Sequence, residues 1–455
     1  MKKTVSRRSF LQSSTLMAAS VATLPAFSLF AATKPGKNRA NAPVVTAPNE
    51  RMRFGCIGNG NMGRGDAANA KRYGDILALC DTDHSRSETL NKTLAEGKAT
   101  IYEDYRKLLE RKDIEAVTIS TPDHWHTKIA MDAMRAGKDV YCQKPLTLTI
   151  DEGKQLCRVV KETGRVLQVG TQQRSEYRNM FLTAVAMAQE GRIGKLKRVV
   201  CVIGNGQKGG PFPAATPPPG LNWDLWLGQA PKVDYRKERC HGTFRWWFEY
   251  SGGKITDWGA HHVDIAQWAI GMENSGPSSV EVVSNEMPVP MKNGYPTRDD
   301  SYNTSFSFAV RCLFPNGIEL LITSNHTDAV MDGKNGIVFE GEKGKYFVSR
   351  QVLQGEPVDA LKQNPIADST LIKLRKGKPI NDTHMGNFAA CIKDRSLPAS
   401  DVFTHHRIIT TCHLANIAMR LGRKLNWDPK SEQFVGDAEA NTFLSRPQRK
   451  GYETV

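Results

Sequence analysis

Nowhere in its 455 residues does the chain hold a run of five or six like charges, and it has no CxxC pair. The first absence argues against a nucleic-acid-binding surface, and the second against a zinc ribbon or finger. No internal repeat is present, so a solenoid is excluded. Long apolar runs are also missing: the best candidate, Leu16 to Ala32, is broken by Ser, Thr and Pro25 and is too interrupted to span a bilayer. Cysteine occurs nine times, singly and in an odd number, several inside strand-like runs such as FGCIG and LALCD. That usage reads as buried thiols rather than a disulfide framework. His384, His405, His406 and His413 lack a metal-ligand spacing with carboxylates, so no metal site is expected.

What is present begins with charge. The net +15 is concentrated at the start: residues 1–48 carry Lys2, Lys3, Arg7, Arg8, Lys34, Lys37 and Arg39 with no acid, leaving +8 for the rest. SRRSFLQ at 6–12 followed by the mild apolar run looks like a twin-arginine export signal, which predicts a periplasmic protein exported folded. The expected organisation is a signal over 1–32, a linker over 33–50, a dinucleotide-binding domain over 51–170, a substrate and oligomerisation domain over 171–425, and a tail over 426–455 that packs back on the domains. Length and the 40% hydrophobic, 24% charged composition fit two soluble domains.

From residue 51 the pattern alternates. RFGCIG, DILALCD, IEAVTIST, DVYC and VLQVG are strand candidates, with helices expected around Met62 to Tyr73, Tyr105 to Arg111, Thr127 to Ala136 and Ile150 to Thr163. Successive βαβ units of this kind give a doubly wound parallel sheet, which binds ligands beyond the carboxyl ends of its strands. At the first such end stands GNGNMG, where Gly58, Gly60 and Gly63 fill GxGxxG and Asn61 and Met62 open the helix. The three glycines permit a tight turn, close approach to a pyrophosphate, and close packing of helix on strand. Asp81 ends the next strand, where a carboxylate accepts hydrogen bonds from the ribose and repels a 2′-phosphate, and no arginine follows until Arg86. NAD is therefore favoured over NADP. STPDHWH at 120–126 places Thr121, Pro122 and His126 at the same crevice, with His124 also a candidate for ligand contact and His126 equally able to pack the helix start. Lys144 leaves the sheet between a short apolar strand and Pro145, either an ordinary surface lysine or a catalytic one.

GxGxxG, STPDHWH and KP after a strand, in this order, resemble the Gfo/Idh/MocA oxidoreductase family, which includes inositol dehydrogenases and glucose-fructose oxidoreductase. The resemblance runs from about residue 51 to the end. It implies a Rossmann domain followed by an α/β domain with a large, mostly antiparallel open sheet, homodimers or homotetramers, and a sugar as substrate. That family has EKP where this chain has Gln143, Lys144 and Pro145; the lysine matches and the glutamate does not. The resemblance implies that Lys144 reaches the reacting oxygen near the nicotinamide and that Gln143 touches the cofactor. SGGKITDWGAHHVDIAQWAIG at 251–271 carries the family's DxxxH as Asp257 and His261, whose spacing places both on one helix face. Removing a hydroxyl proton while a hydride leaves the same carbon suits a histidine with pKa near neutrality. Lys144, Asp257 and His261 are the expected catalytic set, with either His261 or Lys144 taking the proton.

For a sugar, amides and charged groups against hydroxyls and aromatic faces against C–H surfaces are required. Gln173, Arg174, Trp247, Tyr250 and His262 are the candidates to supply them, the aromatic residues being equally able to form the core of the second domain and His262 to be structural. The loop GNGQKGGPFPAATPPPG, 204–220, has no regular pattern and is expected to be a lid or an interface arm. SVEVVS, TSFSFAVRCLF, IELLIT, GIVFEG and KYFVS follow as strands, then a helical part from FTHHRIITTCHLANIAMRLG onward. The function expected is an exported NAD-dependent oxidoreductase acting on a sugar, sugar-derivative or glycoside hydroxyl with a tightly bound cofactor. A glycosidase using transient oxidation and elimination is one alternative, and a non-catalytic sugar sensor is the other.

Overall fold

The computed structural model describes residues 51–333 and 335–454. The proposed export signal lies outside them. Short apolar runs alternating with helices become the first sheet: β1 (Met52–Ile57), α1 (Asn61–Lys71), β2 (Gly74–Cys80), α2 (His84–Leu94), β3 (Thr100–Tyr102), α3 (Tyr105–Leu109), β4 (Ala116–Ile119), α4 (Asp123–Arg135), β5 (Asp139–Cys142), α5 (Ile150–Thr163) and β6 (Leu167–Val169). The six strands are all parallel in the order β3-β2-β1-β4-β5-β6. Every residue of β4 and β5 is buried because helices cover both faces. α5 starts at a capping box, with Thr149 Oγ1 accepting from the Glu152 N–H and the Glu152 carboxylate accepting from the Thr149 N–H. Five of the six strands stand where the sequence predicts them. β3 and α2 were not predicted, since β3 is three residues long and α2 buries only Ser87 and Leu90.

The second sheet follows α6 (Met180–Gln189). The elements from there on are β7 (Leu196–Val202), α7 (Trp223–Leu227), α8 (Lys254–Asp257), α9 (Gly259–Ile270), β8 (Ser279–Glu286), β9 (Met291–Lys292), β10 (Tyr295–Pro296), β11 (Ser307–Leu313), β12 (Glu319–Thr323), β13 (Gly336–Gly341), β14 (Gly344–Val348) and β15 (Leu353–Gln354), of which β9 and β10 pair only with each other as a separate ribbon. After it come α10 (Glu356–Asp359), α11 (Asp368–Leu374), α12 (His384–Asp394), α13 (Val402–Leu421), β16 (Leu425–Asp428), β17 (Gln433–Phe434) and α14 (Ala438–Asn441). Nine strands run in the order β15-β14-β13-β7-β12-β11-β8-β16-β17, and only the β7–β12 pair is parallel. The predicted strands became β8, β11, β12, β13 and β14. β7, the strand joining the two halves of the sheet, was missed although Val199 to Val202 is an unbroken apolar run.

One face of the sheet packs against α6, α9 and α13 in the largest core cluster, which gathers Phe181, Val263, Phe308, Ile322 and Ile409 among others. Residues 204–218 contain no helix or strand, as the proline and glycine content predicts. The nine cysteines are free, and all but Cys157 are buried. No helix among the described residues is long and apolar enough to cross a membrane.

Candidate active site

The carboxyl ends of β1, β2, β4 and β5 open onto a crevice of ≈ 470 Å³. Gly58, Gly60, Asn61, Met62, Asp81, Thr121, Pro122, Gln143 and Lys144 all line it, as the sequence predicts. Gly58 has φ +83°, a conformation that favours glycine, and a side chain there would stand 2.6 Å from the Ser120 backbone. A Cβ on Gly63 would lie 1.8 Å from the Gly58 carbonyl oxygen, so the helix seats on the strand only with glycine. This turn, opening directly into α1, fits a pyrophosphate at a helix N-terminus. The Asp81 carboxylate accepts the N–H groups of Asn59 (2.7 Å) and Asp83 (2.9 Å), so it holds the glycine turn to the end of β2. Burial raises its pKa, opposed by those two bonds and by Arg86. Arg86 also lines the crevice, paired with Asp83 at 3.2 Å.

At the crevice's other end the Lys144 ammonium meets the Asp257 carboxylate at 2.5 Å and the Asp257 carbonyl at 3.2 Å. Arg245 stands 3.6 Å from the same carboxylate. Although burial opposes ionisation, Lys144, Arg245 and Lys254 hold the Asp257 pKa down at about 2. Lys144 and Asp257 of the expected catalytic set thus pair across the domains, whereas His261 does not line the crevice. Asp257 and His261 do not share one helix, because α8 ends at Asp257 and α9 begins at Gly259. Asp257 commits its carboxylate to Lys144 rather than to the imidazole. His261 Nδ1 is buried with no hydrogen-bond partner among the described residues. Burial, reinforced by Lys144 and Arg350, pushes the His261 pKa well below 6.5, so the ring is neutral rather than poised near neutrality.

Asp123 was missed, although it sits inside STPDHWH. It lines the crevice, is buried, accepts the Ser251 hydroxyl at 2.5 Å, and is raised by burial to a pKa of about 7 against the pull of Arg245 and Lys144. Its distance in sequence from Ser251 left no local signal. Asp66 beneath Gln143 was missed for the same reason.

Several expected ligand contacts lie outside the crevice lining. His126 has Nδ1 2.6 Å from the Pro145 carbonyl and Nε2 2.9 Å from that of Thr121; it ties two loops together and does not line the crevice. His124 is buried against Trp226 and Tyr250. None of the five expected sugar contacts lines the crevice. Arg174 is buried in a two-pronged ion pair with Asp264 (2.7 and 2.9 Å) and lies over the Trp268 ring. Gln173 and His262 are buried near one another, and His262 Nε2 stands 2.8 Å from Asn335 Oδ1. Trp247 is fully buried, donating its indole N–H to the Glu238 carbonyl, and Tyr250 pairs its hydroxyl with Arg239. It is instead Leu225, Trp226, His241, Phe244 and Arg245 that reach the crevice.

Those residues belong to a strap that crosses from the second domain onto the first. Asp83 and Leu221 form a β-bridge, Asn222 N–H donates to the Thr82 carbonyl, and the Trp125 indole donates to the Trp226 carbonyl. The tail holds the strap from outside: Arg449 donates to the Gly228 carbonyl and to Asp224, and the Tyr452 ring packs edge-on against Trp125. His326, Asp328 and Glu340, away from this crevice, bring three possible ligand atoms within 4.8 Å of one another, but Lys345 already pairs with Asp328 at 2.6 Å.

Residues 52–171 match the model of the oxidoreductase family's NAD-binding Rossmann fold, and residues 210–454 match that of its C-terminal alpha/beta domain, both of the Gfo/Idh/MocA group. The chain belongs to the Gfo/Idh/MocA oxidoreductase family. A "Glycosyl hydrolase family 109 protein" from Shewanella pealeana is 31% identical over 204 residues, covering 42% of this chain and 44% of that protein. The chain thus matches less than half the length of that curated relative. Among solved structures, the WlbA dehydrogenase from Bordetella pertussis in complex with NADH and UDP-GlcNAcA superposes with TM-score 0.58 at 17% identity, over 83% of this chain and 98% of that one. The aldose-aldose oxidoreductase from Caulobacter crescentus complexed with glycerol gives TM-score 0.57 at 16% identity, over 83% and 99%. At such identities these two neighbours speak to the fold alone.

Proposed function

We propose that this member of the family is an NAD-dependent oxidoreductase acting on a secondary hydroxyl of a sugar, sugar derivative or glycoside. The observation that carries the reading is the Lys144–Asp257 pair at the end of a glycine-built dinucleotide crevice, flanked by Arg245 and Asp123. Bound NAD would supply the hydride acceptor, and the chain's own groups handle the proton. Lys144 polarises and positions the substrate oxygen, with Asp257 holding the ammonium in place. The hydroxyl proton is assigned to His261, the histidine of the DxxxH motif, which is neutral and buried outside the crevice lining. NAD is preferred to NADP because Asp81 and Asp83 both stand at the ribose end, and the cation there, Arg86, is engaged by Asp83.

The strap supports a cofactor that stays bound through turnover, since leaving would require Leu225, Trp226, Phe244 and the tail contacts to open. A retained cofactor fits export in folded form to the periplasm, where free NAD is not expected. The enzyme then works by alternating half-reactions, oxidising one sugar and passing the hydride to a second carbonyl compound. A homodimer or homotetramer built on the open sheet completes the proposal. The test is mass spectrometry of the ligand released from purified protein, followed by a sugar and glycoside screen that follows reduced-nicotinamide absorbance. Protein that elutes empty and needs added NAD for each turnover would refute retention.

A second reading is favoured by the relative named as a glycosyl hydrolase. The same groups could oxidise a ring carbon transiently, let the aglycone leave by elimination, and restore the hydride after water adds. Aglycone release without net change in nicotinamide absorbance would decide for it.

A further inference from the structure

Gln143, at the end of β5, is held by a buried acid. Beneath it lies Asp66, a buried acid on α1 that does not line the crevice. The Gln143 carboxamide donates to both Asp66 oxygens, at 3.0 and 2.9 Å, and Ser120 Oγ donates to one of them at 2.6 Å. A glutamate at 143 would set carboxylate against carboxylate in a buried site, where one of the two must stay protonated. With the amide nitrogen committed to Asp66, Gln143 Oε1 is turned the other way and accepts the Lys144 peptide N–H at 3.3 Å. Gly170 closes the fourth side: a Cβ there would stand 2.8–2.9 Å from the carboxamide atoms, so the amide has no second place to go. Burial also raises the Asp66 pKa to about 6, and the Ser120 and Gln143 bonds act to keep its charge.

We propose that Asp66 is a positioning residue: acting through Gln143, it fixes the crevice wall and the backbone that presents Lys144. The inference rests on the cofactor reading above. It predicts that the contact can be rebuilt with its acid and amide ends swapped. In Asp66→Asn one of the two oxygens that accept from Gln143 becomes a donor and the charge is lost, and in Gln143→Glu two buried acids must share one proton. In the double variant the new amide at position 66 donates to the new carboxylate at position 143, the same contact with its ends swapped.

The experiment measures NADH affinity by fluorescence on protein freed of cofactor, together with melting temperature, for wild type, both single variants and the double. Each single change should weaken NADH at least about tenfold, the scale of a lost charge-assisted hydrogen bond in a buried site. The double should return to within about threefold of wild type, the recovery expected when two coupled changes restore one contact. Gly170→Ala, which crowds the amide without altering any charge, should weaken NADH in the same direction and serves if Gln143→Glu fails to fold. A double variant no tighter than the weaker single overturns the inference while leaving the cofactor reading intact. Recovery of melting temperature without recovery of affinity overturns it too, since Asp66 would then only support the fold. A wild-type protein that does not bind NADH removes the cofactor reading and the inference with it.

Discussion

Replacing Asp123 with asparagine should make the protein more stable, and increasingly so as pH rises. Its carboxyl is buried and raised from an ordinary 3.8 to about 7. Because the folded state holds the proton more tightly than the unfolded chain, stability is present below the unfolded value of about 3.9 and is lost as pH climbs through about 7. At about 1.4 kcal/mol per pKa unit, ionising Asp123 costs the folded protein about 4 kcal/mol once pH exceeds about 7, and only about 1.5 kcal/mol at about pH 5. Asparagine is of the same shape, still accepts the Ser251 hydroxyl, and does not titrate. Its advantage should therefore grow by about 2–3 kcal/mol between about pH 5 and pH 8. Urea unfolding of both proteins at the two pH values reads this directly as a change in midpoint. A gain that is independent of pH, or that shrinks toward the alkaline end, would refute the reasoning, because Asp123 would then be ionised in the folded state throughout.

Three further outcomes are expected. Lys144→Ala and His261→Ala should each lower turnover at least about 10²-fold while cofactor remains bound, and near-normal turnover in both removes them from the mechanism. Asp81→Ala should weaken NAD and narrow its margin over NADP; because the carboxylate also holds the Asn59 and Asp83 N–H groups, affinity for both dinucleotides should fall, and an unchanged ratio would show that Asp81 does not face the ribose. Arg449→Ala combined with Tyr452→Phe removes four hydrogen bonds between tail and strap and should speed cofactor loss on gel filtration at least about tenfold, whereas unchanged occupancy would mean that the tail is not the latch.

Local signals carried most of the first domain, and distant partners decided what they missed. The glycine turn, Asp81 and Lys144 were legible because each sits at the end of a strand whose apolar run is written in consecutive residues. The sugar contacts were not. Arg174 reads as a free cation after a strand until Asp264, 90 positions on, is folded against it. Trp247 and Tyr250 read as aromatic platforms until Arg239 and the Glu238 carbonyl consume their faces and polar ends. The i, i+4 rule put Asp257 beside His261, but a lysine 113 residues earlier took the carboxylate, and the helix broke between the two. Gln143 looked like a lost charge because its partner, Asp66, lies 77 residues away on another element.

The charges around the crevice end also bear on which group takes the substrate proton. Lys144, Arg245 and Lys254 surround a single ionised carboxylate, Asp257, so this end has a positive surplus that favours a developing alkoxide. His261 is held neutral far below 6.5, and its readiness to accept a proton should not change between about pH 6 and pH 8. Asp123 does change in that window, since it ionises near 7 and reduces the surplus. With His261 as base, the rate at which a sugar reduces the bound cofactor should be level below about pH 6.5 and decline toward about pH 8. Asp123→Asn should keep the rate level throughout. With Asp123 as base the sign reverses: the rate would rise through about pH 7 as the carboxylate appears, and Asp123→Asn would be slow at every pH. Pre-steady-state nicotinamide absorbance across this range separates the two, and a rising limb abolished by Asp123→Asn would transfer the proton from His261 to Asp123.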